Sequence, residues 1–303
     1  MIMKLLITGS YGQLGNELKR CLSTMAAEIG AIPTEYADAQ VDYIDVDILD
    51  ITDEDAVNAW FKEHAPYDVV INCAAMTNVD GCETAGDKAL LVNGQGPANL
   101  AKASEKIGAK FVQVSTDYVF PGNIPGERVE TDEVGPISAY GRSKLAGEQN
   151  IAQYCTKHFI VRTAWLYGYV GHNFVKTMRK LGTSHDQITV VNDQLGNPTS
   201  ANDLAYEILK IALTDNYGIY HCTNKGTCSW YDFACAIMEG LNLNCKVIPV
   251  TSEQYKQANP ASADRPAFSS LKNAHLEQTI GDEMRSWQDA LADYLKNLPE
   301  LEG

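Results

Sequence analysis

The chain has 303 residues, 45% of them hydrophobic, enough to bury a large core and to build one big domain or two modest ones. Its 24 Lys plus Arg against 39 Asp plus Glu leave a net charge of −15, a surface that repels polyphosphate chains and anionic lipid, so neither nucleic acid nor a membrane is expected as a partner. No apolar run reaches the ~18–20 residues of a spanning helix, and the start "MIMKLLITGS" lacks the basic and long apolar regions of a secretory signal, so a soluble, cytoplasmic protein is expected.

In chain order, "KLLIT" (4–8) is a predicted strand and 13–24 a helix; "VDYIDV" (41–46) is a strand and 53–64 a helix opened by Thr52 or Asp53. "DVVINCAA" (68–75) is a strand, 86–107 is helical, "KFVQVST" (110–116) is a strand, 138–155 a helix and "FIVRTAW" (159–165) a strand. This alternation predicts a parallel sheet with helices on both faces, and the near-continuous apolar strands suit burial on two sides. Beyond about residue 167 the spacing loosens: helix 173–182, strand "ITVVN", helix 202–213, strand "GIYHCT", helix 229–240, strand "KVIPV" and helical 282–297. Some of these later strands have the composition to return to the main sheet. The loops "FPGNIPGERVETDEVGP" and "QANPASADRP" are long enough to bind ligands. The eight cysteines contain no C-x-x-C and several sit in apolar patterns, which fits reduced, buried thiols, and the histidines show no zinc-ligand spacing, so no metal site is expected.

Between the first strand and first helix lies "TGSYGQLG", with Gly9, Gly12 and Gly15 spaced by threes. Glycines there permit the turn, let backbone N–H groups approach a pyrophosphate, and let the helix pack closely on the sheet, which is the physics of a dinucleotide site. The second strand should end in the residue that reads the adenosine ribose. Asp45 suits that role, accepting from the 2′ and 3′ hydroxyls and repelling a 2′-phosphate, and no Arg or Lys nearby welcomes NADPH. NADH is therefore the preferred cofactor, with NADPH the alternative. Asp45 lies 30 residues beyond Gly15, longer than the usual ~20, so "AAEIGAIPTEYADAQ" must be an extra excursion, and Asp42 and Asp47 stay open as alternatives.

The stretch "AYGRSKLAGE" (139–148) places Tyr140 and Lys144 one helical turn apart, in a segment thinned by Gly141 and Gly147. A second Tyr-x-x-x-Lys, Tyr206 and Lys210, shows that the motif alone carries little weight. Tyr140 differs because the strand upstream of it ends in Ser115, Thr116 and Asp117, at the carboxyl edge where open α/β sheets bind ligands.

Thr116, Tyr140 and Lys144, together with the glycine loop, resemble the Ser/Thr, Tyr, Lys arrangement of the extended short-chain dehydrogenases/reductases. "LDITD", "VINCAAMTNVDGCE", "STDYVFPG", "RTAWLYG", "NFVKTM", "NDQLGNPT", "GIYHCTNKGTCSWYDFA" and "RPAFSSL" narrow this to a resemblance to the dTDP-4-dehydrorhamnose reductases, from about residue 3 to residue 295. The resemblance implies a Rossmann-type NAD(P)-binding domain over 1–167 and a smaller, mainly substrate-binding α/β domain over 168–303. It places Gly12, Gln13 and Leu14 at the pyrophosphate, Asp45 at the ribose, Asp50 and Ile51 beside the adenine, and Ala75, Met76 and Thr77 along the cofactor, with Tyr11 also among the cofactor-binding residues. Thr116, Asp117 and Trp165 would face the sugar, and the family implies a homodimer, in some members with a divalent ion between subunits.

The implied chemistry is reduction of the C4 ketone of a dTDP-linked 4-keto-6-deoxy sugar, in rhamnose and cell-surface polysaccharide synthesis. Tyr140 would protonate the oxygen, Lys144 would favour that transfer and anchor the nicotinamide ribose, and Thr116 would donate to the ketone. The nearest enzyme alternative is a sugar-nucleotide 4,6-dehydratase or epimerase of the same branch; the dehydratases follow Thr-Asp with Glu, and here Tyr118 stands there, which favours reduction over elimination. A cofactor-binding regulatory subunit, like that of methionine adenosyltransferase, is the reading from another class. Arg265 is a candidate grip on the substrate diphosphate or a surface salt bridge, and Arg162 either serves similarly or pairs with a carboxylate.

Overall fold

The computed structural model describes residues 2–301. β1 (Lys4–Thr8) turns into α1 (Gln13–Thr24), followed by β2 (Gln40–Ile44), α2 (Glu54–His64) and β3 (Val69–Asn72). Asp53 opens α2 by accepting from the N–H groups of Asp55 and Ala56. Then come α3 (Val79–Thr84), α4 (Gly86–Leu90), α5 (Gly96–Ile107), β4 (Lys110–Thr116), α6 (Ala139–Tyr154) and β5 (His158–Thr163).

The single helix expected over 86–107 is interrupted by a π turn, Leu91–Gln95. Its cause is Asn93, which is buried and turned inward, accepting from Met76 N at 2.8 Å and donating to Met76 O at 3.0 Å and Ser143 Oγ at 2.9 Å. Widening the turn satisfies these bonds at the expense of helical regularity, a use of π turns common beside functional sites.

The second half contains β6 (Leu166–Tyr167), α7 (Phe174–Ser184), β7 (Gln187–Val191), β8 (Leu195–Gly196), β9 (Thr199–Ser200), α8 (Ala201–Leu213) and β10 (Gly218–His221). It ends with β11 (Cys228–Ser229), α9 (Trp230–Gly240), β12 (Lys246–Val250), α10 (Ser252–Ala258), α11 (Ala274–Thr279) and α12 (Trp287–Leu301). β10 does return to the main sheet, pairing parallel with β5.

The six strands run parallel in the order β10-β5-β4-β3-β1-β2. From β1 the chain goes first to β2 on one side and then to β3 on the other. This reversal is the switch point of a Rossmann-type doubly wound sheet, and ligands bind beyond the carboxyl ends of the strands there. Strand side chains alternate between two buried faces: Leu5 and Ile7 pack with Leu18, Leu204 and Ile208, whereas Leu6 packs with Val57, Phe61, Leu100 and Ile151. The excursion before β2 packs on α8, where Tyr36 donates to Leu209 O at 2.7 Å and Asn202 Oδ1 accepts from Glu28 N at 2.7 Å. A separate core joins Val175 of α7, Ile188 of β7, Phe233 and Ile237 of α9 and Leu291 of α12. Among the described residues, no helix is long and apolar enough to cross a membrane.

Candidate active site

β1 delivers the chain to Gly9, whose φ of +65° and position against β3 both require glycine: a Cβ there would lie 2.5 Å from Ala74 N. At Gly15 a Cβ would lie 2.5 Å from Gly9 O, so the turn and α1 close on each other only without side chains. Gly12 precedes α1 with no side-chain cap, which leaves amides at the positive end of the helix to an anion. Ser10 Oγ is buried here without a partner in the protein. Asp45, at the end of β2, accepts from Tyr11 N at 2.9 Å and Val46 N at 2.8 Å, so its carboxylate is fixed against the loop. These features fit a dinucleotide: close-approach glycines, free amides and a placed acid. Asp42 is engaged elsewhere, accepting from Tyr67 Oη at 2.6 Å, while Asp47 lies 3.4 Å from Tyr11 Oη.

Gln13 uses its side chain differently from its loop neighbours. Its Oε1 accepts from Gly168 N at 2.8 Å and Asn173 Nδ2 at 3.0 Å, tying the glycine loop to the loop after β6.

A cavity of about 620 Å³ opens beside the loop. It brings together Gly9, Gly12, Gln13, Leu14, Gly15, Ala75, Thr77, Thr116, Asp117, Tyr140, Lys144 and Trp165. Tyr11, Asp45, Asp50, Ile51 and Met76 do not line it. Asp50 Oδ1 instead accepts from Thr52 N at 2.9 Å, Ile51 is buried against Gly96, and Met76 is held through its backbone by Asn93.

α6 starts at Ser138, whose Oγ accepts from Gly141 N at 3.1 Å. That cap aims Tyr140 into the cavity, with Lys144 one turn on and buried, donating to Val114 O at 2.7 Å. Burial pushes the Tyr140 phenol well up, a hydrogen bond with Thr116 pulls it back, and Asp117 and Cys82 add to the rise. The phenol therefore keeps its proton at neutral pH, and burial outweighs any pull from the ammonium that the sequence pairs with it. Lys144 itself is brought down to about 8 by burial, with Glu148 and Cys73 opposing. Thr116 Oγ1 donates to Asp117 Oδ1 at 2.9 Å and accepts from Tyr118 N at 3.2 Å. Asp117 is pushed up to about 7 by burial, against hydrogen bonds from Ser269 and Thr116.

Trp165 lines the cavity with a φ of +47°, an uncommon backbone state for an aromatic residue. Its indole stacks on Trp230 at 3.5 Å and 8°, and Gly196 beneath it is bare because a Cβ would come within 2.5 Å of the ring. Trp230 was not legible as a site residue: it sits in "CSWYDFA", but only the fold brings it to Trp165. Tyr118, in the place of a dehydratase Glu, meets Tyr140 edge-on at 5.8 Å. Of the two arginines, Arg265 lines the cavity and also pairs with Asp80 at 3.0 Å, while Arg162 is buried and pairs with Glu148 at 2.7 Å. Tyr206 and Lys210 both bind Glu283, at 2.6 and 2.8 Å, away from the cavity.

The family model described as RmlD substrate binding domain matches residues 3–299. The chain belongs to this family. It is 41% identical over 293 residues to the spore coat polysaccharide biosynthesis protein SpsK of Bacillus subtilis (strain 168), spanning 97% of each chain. Among solved structures it is similar to a dTDP-4-dehydrorhamnose reductase from Clostridium acetobutylicum ATCC 824, with TM-score 0.90 and 47% identity, over 98% of this chain and 100% of that one. It is also similar to a dTDP-4-dehydrorhamnose reductase from Bacillus anthracis str. Ames solved in complex with NADP, with TM-score 0.90 and 39% identity, over 98% and 100% of the two chains.

Membership of the RmlD substrate-binding-domain family gives the cavity a context that composition could not. The family match runs through both halves of the chain, and so does the cavity: Thr116 and Tyr140 come from the first half, Trp230 and Arg265 from the second.

Proposed function

We propose that this chain reduces the C4 ketone of dTDP-4-dehydro-L-rhamnose to dTDP-L-rhamnose, using NADH in preference to NADPH, in the cytoplasm. The observation that carries this reading is the convergence of Thr116, Tyr140 and Lys144 on one cavity with the glycine turn. A bound reduced nicotinamide supplies the hydride. Gly12, Gln13 and Leu14 hold its pyrophosphate by their backbone, Asp45 takes the ribose, and Lys144 the nicotinamide ribose. Thr116 turns its one hydroxyl proton from Asp117 to the ketone oxygen as charge develops, and Tyr140 gives that oxygen its proton. Trp165 walls the sugar, and residues 168–303 supply most of the nucleotide's contacts. The eight cysteines are all free, as suits a reducing compartment.

The test is the purified protein with dTDP-4-keto-6-deoxy-L-mannose, made in situ, followed by loss of reduced-nicotinamide absorbance. Turnover faster with NADH than NADPH is the expected result, because Asp45 sets a carboxylate against a 2′-phosphate. Cofactor binding without consumption would sink the reductase reading and favour a binding subunit.

Lys144 and Arg265 are the two Lys or Arg side chains lining the cavity, and Lys144 gives one proton to Val114 O and the others to the nicotinamide ribose. Arg265 is therefore the group free to exchange its carboxylate partner Asp80 for the substrate diphosphate. Arg265→Ala is expected to raise KM for the sugar nucleotide by about 10- to 100-fold, the loss of a charge-assisted bond, with kcat changed far less. Equal KM values in steady-state assays would remove Arg265 from the site.

A further inference from the structure

Three consecutive residues of β4 engage three successive turns of α6. Val114 O accepts from Lys144 Nζ at 2.7 Å, Ser115 Oγ donates to Glu148 Oε1 at 2.5 Å, and Thr116 meets Tyr140 at the cavity that both line. Tyr140, Lys144 and Glu148 are spaced by fours, so they share one face of the helix. Glu148 is buried and has a second holder: Arg162 of β5 reaches it with Nη2 at 2.7 Å and Nε at 3.0 Å, a two-pronged guanidinium contact. Glu148 does not line the cavity, and no role on the cofactor or sugar falls to it.

We propose that Glu148 is a positioning residue that acts through Lys144: clamped between Ser115 and Arg162, its carboxylate is the counter-charge that keeps the buried lysine an ammonium. This rests on the reading of Lys144 given above. Glu148 and Cys73 are the two groups that hold the proton on Lys144, and Asp117, which shares the cavity, acts on Tyr140 instead. From α6 come Glu148 and Tyr140, whose phenol is neutral. From the end of β3 comes Cys73, whose thiol burial pushes up to about 12 and so keeps protonated. β4 presents a carbonyl and hydroxyls. β5 presents Arg162, a second cation, which lies over the Phe120 ring at 5.1 Å. Beyond it, His221 is held neutral, brought down to about 3 by burial and by Arg162. One carboxylate thus serves two buried cations, and burial alone would discharge the lysine.

The sign of each substitution follows. Glu148→Gln removes the attraction and leaves Lys144 beside an uncompensated Arg162, so Lys144 loses its proton at lower pH. Arg162→Gln frees the Glu148 carboxylate to act on Lys144 alone, so the proton is held to higher pH. Ser115→Ala keeps every charge and leaves the titration in place. A purely structural role would weaken the protein in all three variants without moving the titration in opposite directions.

The experiment is the pH dependence of NADH binding, read by nicotinamide fluorescence from about pH 6 to pH 10, beside the pH profile of kcat/KM. The alkaline fall is expected to move down by about one unit in Glu148→Gln, up in Arg162→Gln, and not at all in Ser115→Ala. Should either single variant fail to fold, the double variant E148Q/R162Q removes Glu148 and Arg162 together, so neither member of that pair is left buried alone, and its fall is expected below that of the wild type because Lys144 has lost its counter-charge. A fall unmoved or raised in E148Q, or in the double variant, overturns the proposal. The binding titration needs no sugar, so a wild-type protein that binds NADH without reducing the keto sugar would defeat the reductase reading and leave this measurement standing.

Discussion

Tyr140→Phe is expected to lower kcat by about two to four orders of magnitude, the usual worth of a positioned proton donor, while NADH still binds. The ring itself survives the change. Its edge-on contact with Tyr118, 5.8 Å between centroids, does not use the hydroxyl, so the variant should fold and its cavity should keep its shape. What it loses is the proton that burial holds on the phenol at neutral pH. The nearest competitor for that role is Asp117, whose carboxyl is brought up to about 7 and which takes the Thr116 hydroxyl bond at 2.9 Å. Asp117 is half ionised where Tyr140 is fully protonated, so it is the poorer donor above neutrality. Steady-state rates and a fluorescence titration of NADH separate the two: kcat within about tenfold of the wild type would hand the proton to Asp117.

How much of this was legible beforehand differs by element, for physical reasons. β1 and α1 fall where the sequence places them, Lys4–Thr8 and Gln13–Thr24, because two-sided burial and a glycine turn leave a strong local signature. The sequence predicts a continuous helix over 86–107 because its composition is helical throughout. The π turn comes from Asn93 reaching Met76 and Ser143, contacts that are distant in sequence. Thr116, Tyr140 and Lys144 could be selected because a strand end and a helix face converge at the carboxyl edge. Trp230 could not, since its meaning lies in an indole stacked on it at 3.5 Å from the turn between β5 and β6, 65 positions earlier, Trp165. Glu148, the last letter of "AYGRSKLAGE", carries no sequence signal of a role, because a lone Glu on a helix is ordinarily solvated and only burial distinguishes this one.

The two glycines of that same stretch carry the second large expectation. Replacing a mid-helix Gly by Ala ordinarily stabilises by about 0.5–1 kcal/mol, since Ala loses less backbone freedom. In α6 the sign should reverse. A Cβ on Gly141 would lie 2.2 Å from Tyr118 O and 2.9 Å from Pro136 Cβ, and one on Gly147 would lie 2.3 Å from Asn93 O. The closest of these obstacles are backbone oxygens that no rotamer change can move, so the helix itself must back away, by about 1 Å for an ordinary contact. Overpacking of this kind costs about 1–3 kcal/mol, which exceeds the gain in helix propensity. Tyr140 is the residue beside Gly141, and a misplacement of about 1 Å at a reacting group costs about 100-fold in rate. Gly141→Ala is therefore expected to lower both the melting temperature and kcat. Gly86→Ala in α4, where nothing lies within 4 Å of the added carbon, should leave both nearly unchanged. Thermal unfolding and turnover of the two variants decide it. A Gly141→Ala protein as active as the wild type and more stable would mean that α6 does not need its close approach to Tyr118, and the glycines of "AYGRSKLAGE" would be left without a physical cause.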